Sequence, residues 1–294
     1  MRLKHSAFTM IELIFVIVIM GIIGKFGVEF LAQAYNSFIH SKVNNELQSN
    51  SQLAVEFIAN RLQYRVKDSV IARTVIGGAV TPVADAIGAN FRVLEWIEYD
   101  IDSFRGISLP LWSGIIDLDI SNTNFLQSPD TNTTDIDNTI SALSNSTSSI
   151  NDAALFFIGP NNSDVQHGYG WNGQITDQNQ TMHPINSTGN INRFIPSPAT
   201  GGFHDVNEFY QLSWTANAIV LSNDGNLTFY YDYQPWNGES LINNNAKSSL
   251  IMQNVSTFQF ISIGSILKIQ VCTKSNILQN DGGDYSLCKE KTIF

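Results

Sequence analysis

The chain has 294 residues, 43% of them hydrophobic and only 14% charged, enough to bury a sizeable core as one large domain or two small ones. Sixteen basic against 26 acidic residues give a formal net charge of −10, so the chain as a whole has no electrostatic footprint for nucleic acid and no nucleic-acid partner is expected. With so few charges, solubility rests on neutral amides and hydroxyls, which argues against a charge-coated cytosolic surface.

At the N-terminus, Arg2 and Lys4 precede a segment that is apolar without interruption over residues 13–24, with Glu12 the one charge just before it. Basic residues ahead of an apolar segment favour a cytoplasmic N-terminus and export of the chain beyond that segment. Residues 8–30, at about 1.5 Å per residue, are long enough to cross a hydrocarbon core of roughly 30 Å. Glu12 does not suit an ordinary anchor, because a carboxylate inside a membrane helix costs on the order of a few kcal/mol and calls for a partner or a function.

The octapeptide Ala7-Phe8-Thr9-Met10-Ile11-Glu12-Leu13-Ile14, after its short basic leader, resembles the prepilin processing site of the type IV pilin-like proteins. That resemblance implies removal of residues 1–7 as a leader, cleavage between Ala7 and Phe8 by a prepilin peptidase, and methylation of the new N-terminal Phe8. The family more often has Gly where this chain has Ala7. The freed amine of Phe8 is a cation, and Glu12 lies four residues along, close enough to answer it within one subunit or in a neighbour and so to offset the burial penalty. In the family this contact sets the register as one subunit docks beside the last, a role the resemblance assigns to Glu12. Gly21 and Gly24 would let neighbouring helices approach or the helix bend, or they are lipid-facing spacers. A secretory signal peptide cut after Ala32-Gln33-Ala34 is the weaker reading, since Lys25 and Glu29 separate that site from the apolar core. An uncleaved anchor leaves Glu12 and the Ala7-Phe8 junction unexplained.

Beyond the span, Leu31, Tyr35, Phe38, Ile39, Val43, Leu47, Ala54, Phe57, Ile58 and Leu62 recur mostly at spacings of three, four or seven, which predicts one helix over 8–68. Its first part, 8–30, is the transmembrane or filament-core helix, and 31–68 is an amphipathic continuation that packs one stripe on a head. Arg61, Arg65 and Lys67 read as a solvated helix face. From 69 to 294, β-branched and aromatic runs alternate with Gly, Pro, Asn and Asp, which predicts a β-rich head. Residues 91–101 read as a strand with one core face, Glu95 being the odd member. Residues 218–222 and 227–231 flank Asn223-Asp224-Gly225-Asn226 as a hairpin, and 256–263 with 266–272 make a second around Gly264-Ser265. Residues 117–151 read as a long surface excursion or loop. Residues 159–205 read the same way, with Tyr169, Trp171, Phe194 and Phe203 more consistent with rings pinning a loop than with a binding surface. The fold class expected is α+β, a long N-terminal helix packed on an antiparallel β-rich head.

Two cysteines, Cys272 and Cys288, accompany no CxxC or Cys/His cluster, which argues against structural zinc. In an exported head they most simply form one disulfide, against two free thiols, and many type IV pilins are similar in closing a C-terminal loop this way. Within that loop Asp281 and Asp284, with Asn280, supply oxygens that calcium could use, although a solvated Gly-rich turn is the better reading and no cofactor is otherwise expected. The five histidines show no HExxH pairing and no serine sits in a GxSxG elbow, so an enzyme is not expected. Asn132, Asn179 and Asn226 each sit in an acidic-x-Asn-x-Ser/Thr pattern that resembles bacterial N-glycosylation acceptors.

The reading that unites these features is a structural subunit of a type IV pilin-like filament, anchored in the inner membrane with a periplasmic head before assembly. Its expected partners are the prepilin peptidase and other pilin or pseudopilin subunits. Its size favours a minor tip or priming subunit of a type II secretion pseudopilus or a type IV pilus. The alternatives are a filament-tip binding module for a surface, a secreted substrate or DNA, and a large major pilin.

Overall fold

The computed structural model describes residues 9–88, 90–159, 164–179, 181–243, 246–275 and 286–294. The architecture is α+β. Helix α1, Met10–Leu62, has 53 residues and is therefore about 80 Å long. Its first half is exposed along its length among the described residues: Phe15, Phe30 and Phe38 are each more than 60% exposed. Burial begins at Val43 and continues through Ala54, Val55, Ile58, Ala59 and Leu62, a stripe one helical turn apart. The exposed apolar surface thus runs past residue 30 through Leu31, Tyr35 and Phe38, which the periodicity alone places against the head.

The helix also ends six residues earlier than the periodicity predicts. The backbone N–H of Val66 donates to the Ile97 carbonyl (2.8 Å) and Arg65 forms a β-bridge with Glu98, so the chain leaves the helix to pair with a strand. Arg65 turns inward and is buried, with Nη1 donating to the Leu62 carbonyl (2.8 Å) and Nη2 to that of Ser265 (2.6 Å). It is not part of a solvated face. A side chain with five donors thus adds to the backbone bond at the Leu62 carbonyl and reaches the turn carbonyl of Ser265.

Six strands form the central antiparallel sheet: β1 Ile71–Arg73, β2 Thr81–Pro82, β3 Val93–Glu98, β10 Thr215–Leu221, β11 Leu227–Tyr233 and β12 Lys247–Met252. Their order is β12-β11-β10-β3-β1-β2. A second sheet, β13-β14-β15, comprises β13 Val255–Ile263, β14 Ile266–Lys274 and β15 Ser286–Ile293. The inner stripe of α1 is enclosed between these sheets, where Val55, Ile58 and Leu62 share a core with Trp96, Phe229, Phe258, Ile269 and Val271. Glu56 on α1 is ion-paired with Lys291 on β15.

Strands β3 and β10 are hydrogen-bonded neighbours, with Trp96 opposite Asn217, yet the intervening chain builds a third sheet. It contains β4 Asp117–Asn122, β5 Phe125–Gln127, β6 Ala154–Phe157, β7 Met182–Ser187, β8 Arg193–Pro196 and β9 Tyr210–Ser213, in the order β4-β5-β8-β7-β6-β9. Helices α2 Ile101–Arg105 and α3 Thr133–Leu143 accompany it. Residues 117–151 are therefore ordered structure, not a surface excursion. Two apolar residues suffice for α3: Ile136 and Ile140, four apart and fully buried, anchor it, and Asn132 caps it by accepting from the Asp135 N–H. Tyr169, Trp171, Phe194 and Phe203 are all buried and pin their segment to the head, although 159–205 also supplies β7 and β8.

Both hairpins form. In the β10–β11 turn Gly225 takes φ +78°, and an added Cβ would stand 3.1 Å from the Val255 carbonyl oxygen; both facts demand glycine. Strand β3 has both faces covered, not one, because Glu95 is matched by Arg73 and Tyr233 and faces the segment around Trp171. Cys272 and Cys288 face each other across β14 and β15 and are bonded, closing a loop of sequence separation 16. Loop closure of that size stabilises by about 3 kcal/mol in the chain-entropy model. The double variant Cys272→Ser/Cys288→Ser is accordingly expected to lower the melting temperature of the head by about 6–12 °C, measured by circular dichroism with and without reductant.

Candidate functional site

Helix α1 begins with a reciprocal cap. Thr9 is its N-cap, and Oε2 of Glu12 accepts from the Thr9 backbone N–H (3.1 Å) and from its hydroxyl (3.0 Å). The carboxylate that looks out of place in the apolar run thus has local donors and a favourable position in the first turn. Ala7 and Phe8, the predicted cleavage and methylation positions, lie outside the described residues, as do the calcium candidates Asp281 and Asp284. After Glu12 the next charges are Lys25 and Glu29, an exposed i,i+4 pair at 3.9 Å. Among the described residues this is the one helix long and apolar enough to cross a membrane, with a mean hydropathy of 2.3 over its best window and none of that window buried. A Cβ placed on Gly21, Gly24 or Gly27 would meet nothing within 4 Å, so no contact inside the chain asks for glycine at these positions.

A second set of polar groups gathers where α1 meets the head. Glu98, at the end of β3, accepts from the Asn217 amide and faces the Arg61 guanidinium at 3.8 Å; burial pushes its carboxyl up to about 7, against the partial compensation of Arg61. Asp100 comes next as the N-cap of α2, its Oδ1 accepting from the Ser103 N–H at 3.0 Å, and burial pushes it up to about 6. Glu95, on β3, takes a hydrogen bond from Arg73 (2.6 Å) and another from the Tyr233 hydroxyl (3.0 Å), and burial again raises it. In the third sheet, burial lowers His183. Arg61 lies over the Phe229 ring at 5.7 Å, the distance range of a cation–π contact. The only signal of this cluster in the sequence is Glu95 interrupting the apolar face; Glu98 and Asp100 read as ordinary solvent-facing positions, and Asn217 lies 119 residues from Glu98.

The glycosylation candidates separate by environment. The Asn132 amide is engaged in its cap and donates to Asp135 Oδ2 (2.7 Å), Asn226 is half-buried, and Asn179 is exposed.

No family model matches the chain, and neither the curated proteins nor the solved structures provide a match to it. The structure therefore stands on its own architecture, a long apolar N-terminal helix on a β-rich, disulfide-bonded head, which is pilin-like in shape. It is consistent with a single-pass membrane protein.

The buried acids dictate a pH dependence. A carboxyl raised on folding contributes stability that is complete below its unfolded value and lost as pH rises through the folded one, here about 6 to 7. His183 has the opposite sign: its contribution is present above the ordinary 6.5 and lost below. Glu56 and Asp164, both lowered, titrate below this range. The melting temperature is expected to change little between pH 8 and 7 and to rise as pH falls from about 7 toward the ordinary carboxylate range, with His183 opposing part of the rise below 6.5. Glu98→Gln should remove the part of the rise that begins near pH 7 and leave the part due to Asp100, which begins near 6, as scanning calorimetry across that range will show.

Proposed function

We propose that the chain is a structural subunit of a type IV pilin-like filament, processed by prepilin peptidase, and that it serves as a minor tip or priming subunit in type II secretion or type IV pilus assembly. The observation that carries this reading is α1 itself: some thirty largely apolar helical residues that no other described residue covers, with Glu12 inside the octapeptide that resembles a processing site. Before assembly the lipid covers this surface; after assembly the helices of neighbouring subunits do. Gly21, Gly24 and Gly27, which nothing inside the chain requires, keep the helix face low enough for a neighbour to approach. The third sheet, inserted between β3 and β10, broadens the head beyond what a tightly repeated shaft accommodates and favours a terminal position. In this reading the head is periplasmic, the N-terminus cytoplasmic, and the protein is not catalytic.

A second reading, a binding module at the filament tip, is favoured by a polar and aromatic cavity at the root of β3. Deletion that abolishes filaments supports the priming role, whereas deletion that spares filaments and abolishes adhesion or substrate capture supports the tip module. Abundance in sheared filaments identifies a major subunit instead.

N-terminal sequencing and mass measurement of membrane-derived protein are expected to find a methylated Phe8, and an intact Met1 in cells lacking the peptidase. A start at Met1 in wild-type cells, or near Tyr35, overturns the reading. Glu12 separates two roles, because Gln can still accept from the Thr9 N–H and cap the helix but cannot answer a cation. Glu12→Gln is expected to leave membrane insertion intact while reducing incorporation into filaments about tenfold or more, measured by immunoblot of the sheared fraction. Normal incorporation would reduce Glu12 to a helix cap.

A further inference from the structure

A cavity of about 340 Å³ opens where α1, β3, β10 and β11 meet, within the size range of ordinary small-ligand sites. Its charged lining is predominantly acidic: Glu98, Asp100 and Asp102 against Arg61. Its apolar lining is aromatic, with Phe57, Trp214, Phe229 and Tyr231. Two features of this lining ask for something the head does not itself supply. Asp100 is 3% exposed: its Oδ1 accepts from the Ser103 N–H, while its Oδ2, without a hydrogen-bond partner among the described residues, is sealed within the wall, so Asp100 lends the cavity charge and not a direct contact. A buried carboxylate oxygen without a donor bears the cost of its lost hydration in full. Glu98 has one oxygen on Asn217 and the other 3.8 Å from Arg61, beyond hydrogen-bonding distance. Desolvation is the leading cause of the upward shift of both carboxyls, and each is raised further by Asp102.

The wall already shows what it tolerates, since Arg61 holds its guanidinium over the face of Phe229 with its side chain about half exposed at the mouth. Anions are disfavoured by three carboxylates. Metal ions are disfavoured too, because among the described residues no three acidic, His or Cys side chains converge closely enough to hold one. What fits is a group rich in N–H donors on a hydrocarbon stem.

We propose that this cavity binds an organic cation carried on an apolar stem, an alkylammonium or alkylguanidinium group, with Glu98 accepting its N–H donors, Asp100 behind it adding negative charge, and the rings of Phe57 and Phe229 flanking the stem. Charged donors to buried carboxylates form the stronger class of hydrogen bond, and the aromatic wall covers the apolar stem. The same chemistry reaches the cavity from two sources, a free amine or the lysine or arginine side chain of another polypeptide. The proposal is independent of whether the chain enters a filament.

The test uses the full-length protein in detergent micelles, with calorimetry as the first readout and, as the second, the tryptophan fluorescence difference between the protein and its Trp214→Phe variant. Butylammonium and butylguanidinium are expected to bind saturably, at least about tenfold more tightly than 1-butanol or glucose. Asp100→Asn, which preserves shape and removes charge, is expected to weaken both cations about tenfold or more. Phe57→Ala, at a partly exposed wall position, is expected to weaken them less while preserving the preference for cation over alcohol; it decides the matter if Asp100→Asn fails to fold. Equal affinity for butylammonium and butanol, no saturable binding by wild type, or wild-type affinity in Asp100→Asn overturns the proposal. Tighter binding of a lysine-containing peptide than of butylammonium assigns the source to a polypeptide side chain, and the reverse order assigns it to a free amine.

Discussion

Everything in this molecule depends on how little of α1 the head covers. The stripe from Val43 to Leu62 is enclosed between the central sheet and the β13-β14-β15 sheet, where Ile58 and Leu62 are completely buried. Each such side chain stabilises by about 1.5–3 kcal/mol relative to exposure, so the C-terminal turns are firmly held. The N-terminal half has no such enclosure and presents large apolar side chains along its whole circumference. A helix that is hydrophobic all round requires a nonaqueous surrounding, and a single chain that holds one end of the helix and leaves the other bare requires that surrounding to come from lipid or from other chains.

The join between helix and head brings buried charge with it. Once α1 ends at Leu62 the chain must enter the sheet within a few residues, and its last carbonyls fall in the interior. Arg65 donates to the Leu62 carbonyl and to that of Ser265. Glu98, its β-bridge partner in the backbone, takes its own compensation from Asn217 and from Arg61 at a longer distance. The compensation is incomplete, which is why Glu98 and Asp100 are raised. Replacement by apolar residues would often be neutral or stabilising at such positions, so a head built for stability alone has no need of these acids.

The amino-acid pattern makes the overall plan legible and conceals the interior of the head. The 3.6-residue period, the apolar run and the glycine-containing turns at 223–226 and 264–265 rest on local rules, and the structure has the helix, both hairpins and the Cys272–Cys288 bond. Inferences that need long-range pairing fail. Residues 117–151 look too polar to pack, yet Leu126, Ile136, Ile140 and Ile150 lie in one core, because the third sheet supplies their partners from residues up to ninety positions away. Arg65 looks solvent-facing by periodicity because nothing nearby in the chain signals that the helix ends at Leu62. The carboxylate cluster is hidden for the same reason: Glu98, Asn217 and Phe229 come together only through the β3-β10-β11 pairing, whose first step spans the whole inserted sheet.

The anchoring stripe and the cavity share one helical turn. Ile58 and Leu62 point into the core, while Phe57 and Arg61, one position earlier in each case, stand on the adjacent face and line the cavity. Phe57 meets Phe229 edge-on at 5.3 Å, and Arg61 covers the same ring. The cavity wall is therefore no separate surface but the flank of the anchoring stripe, placed by the same burial that fixes α1 to the sheet. A small rotation of α1 about its axis would expose Ile58 and carry Phe57 and Arg61 across Phe229 together, and the burial energy of the stripe resists it. The helical side of the cavity is thus tied to the anchoring stripe, while the residues that close it elsewhere, Asp102 and Leu143, come from the inserted segment between β3 and β10. Its shape is set by the junction of three parts of the fold, so its chemistry belongs to the assembled head and not to any one of them.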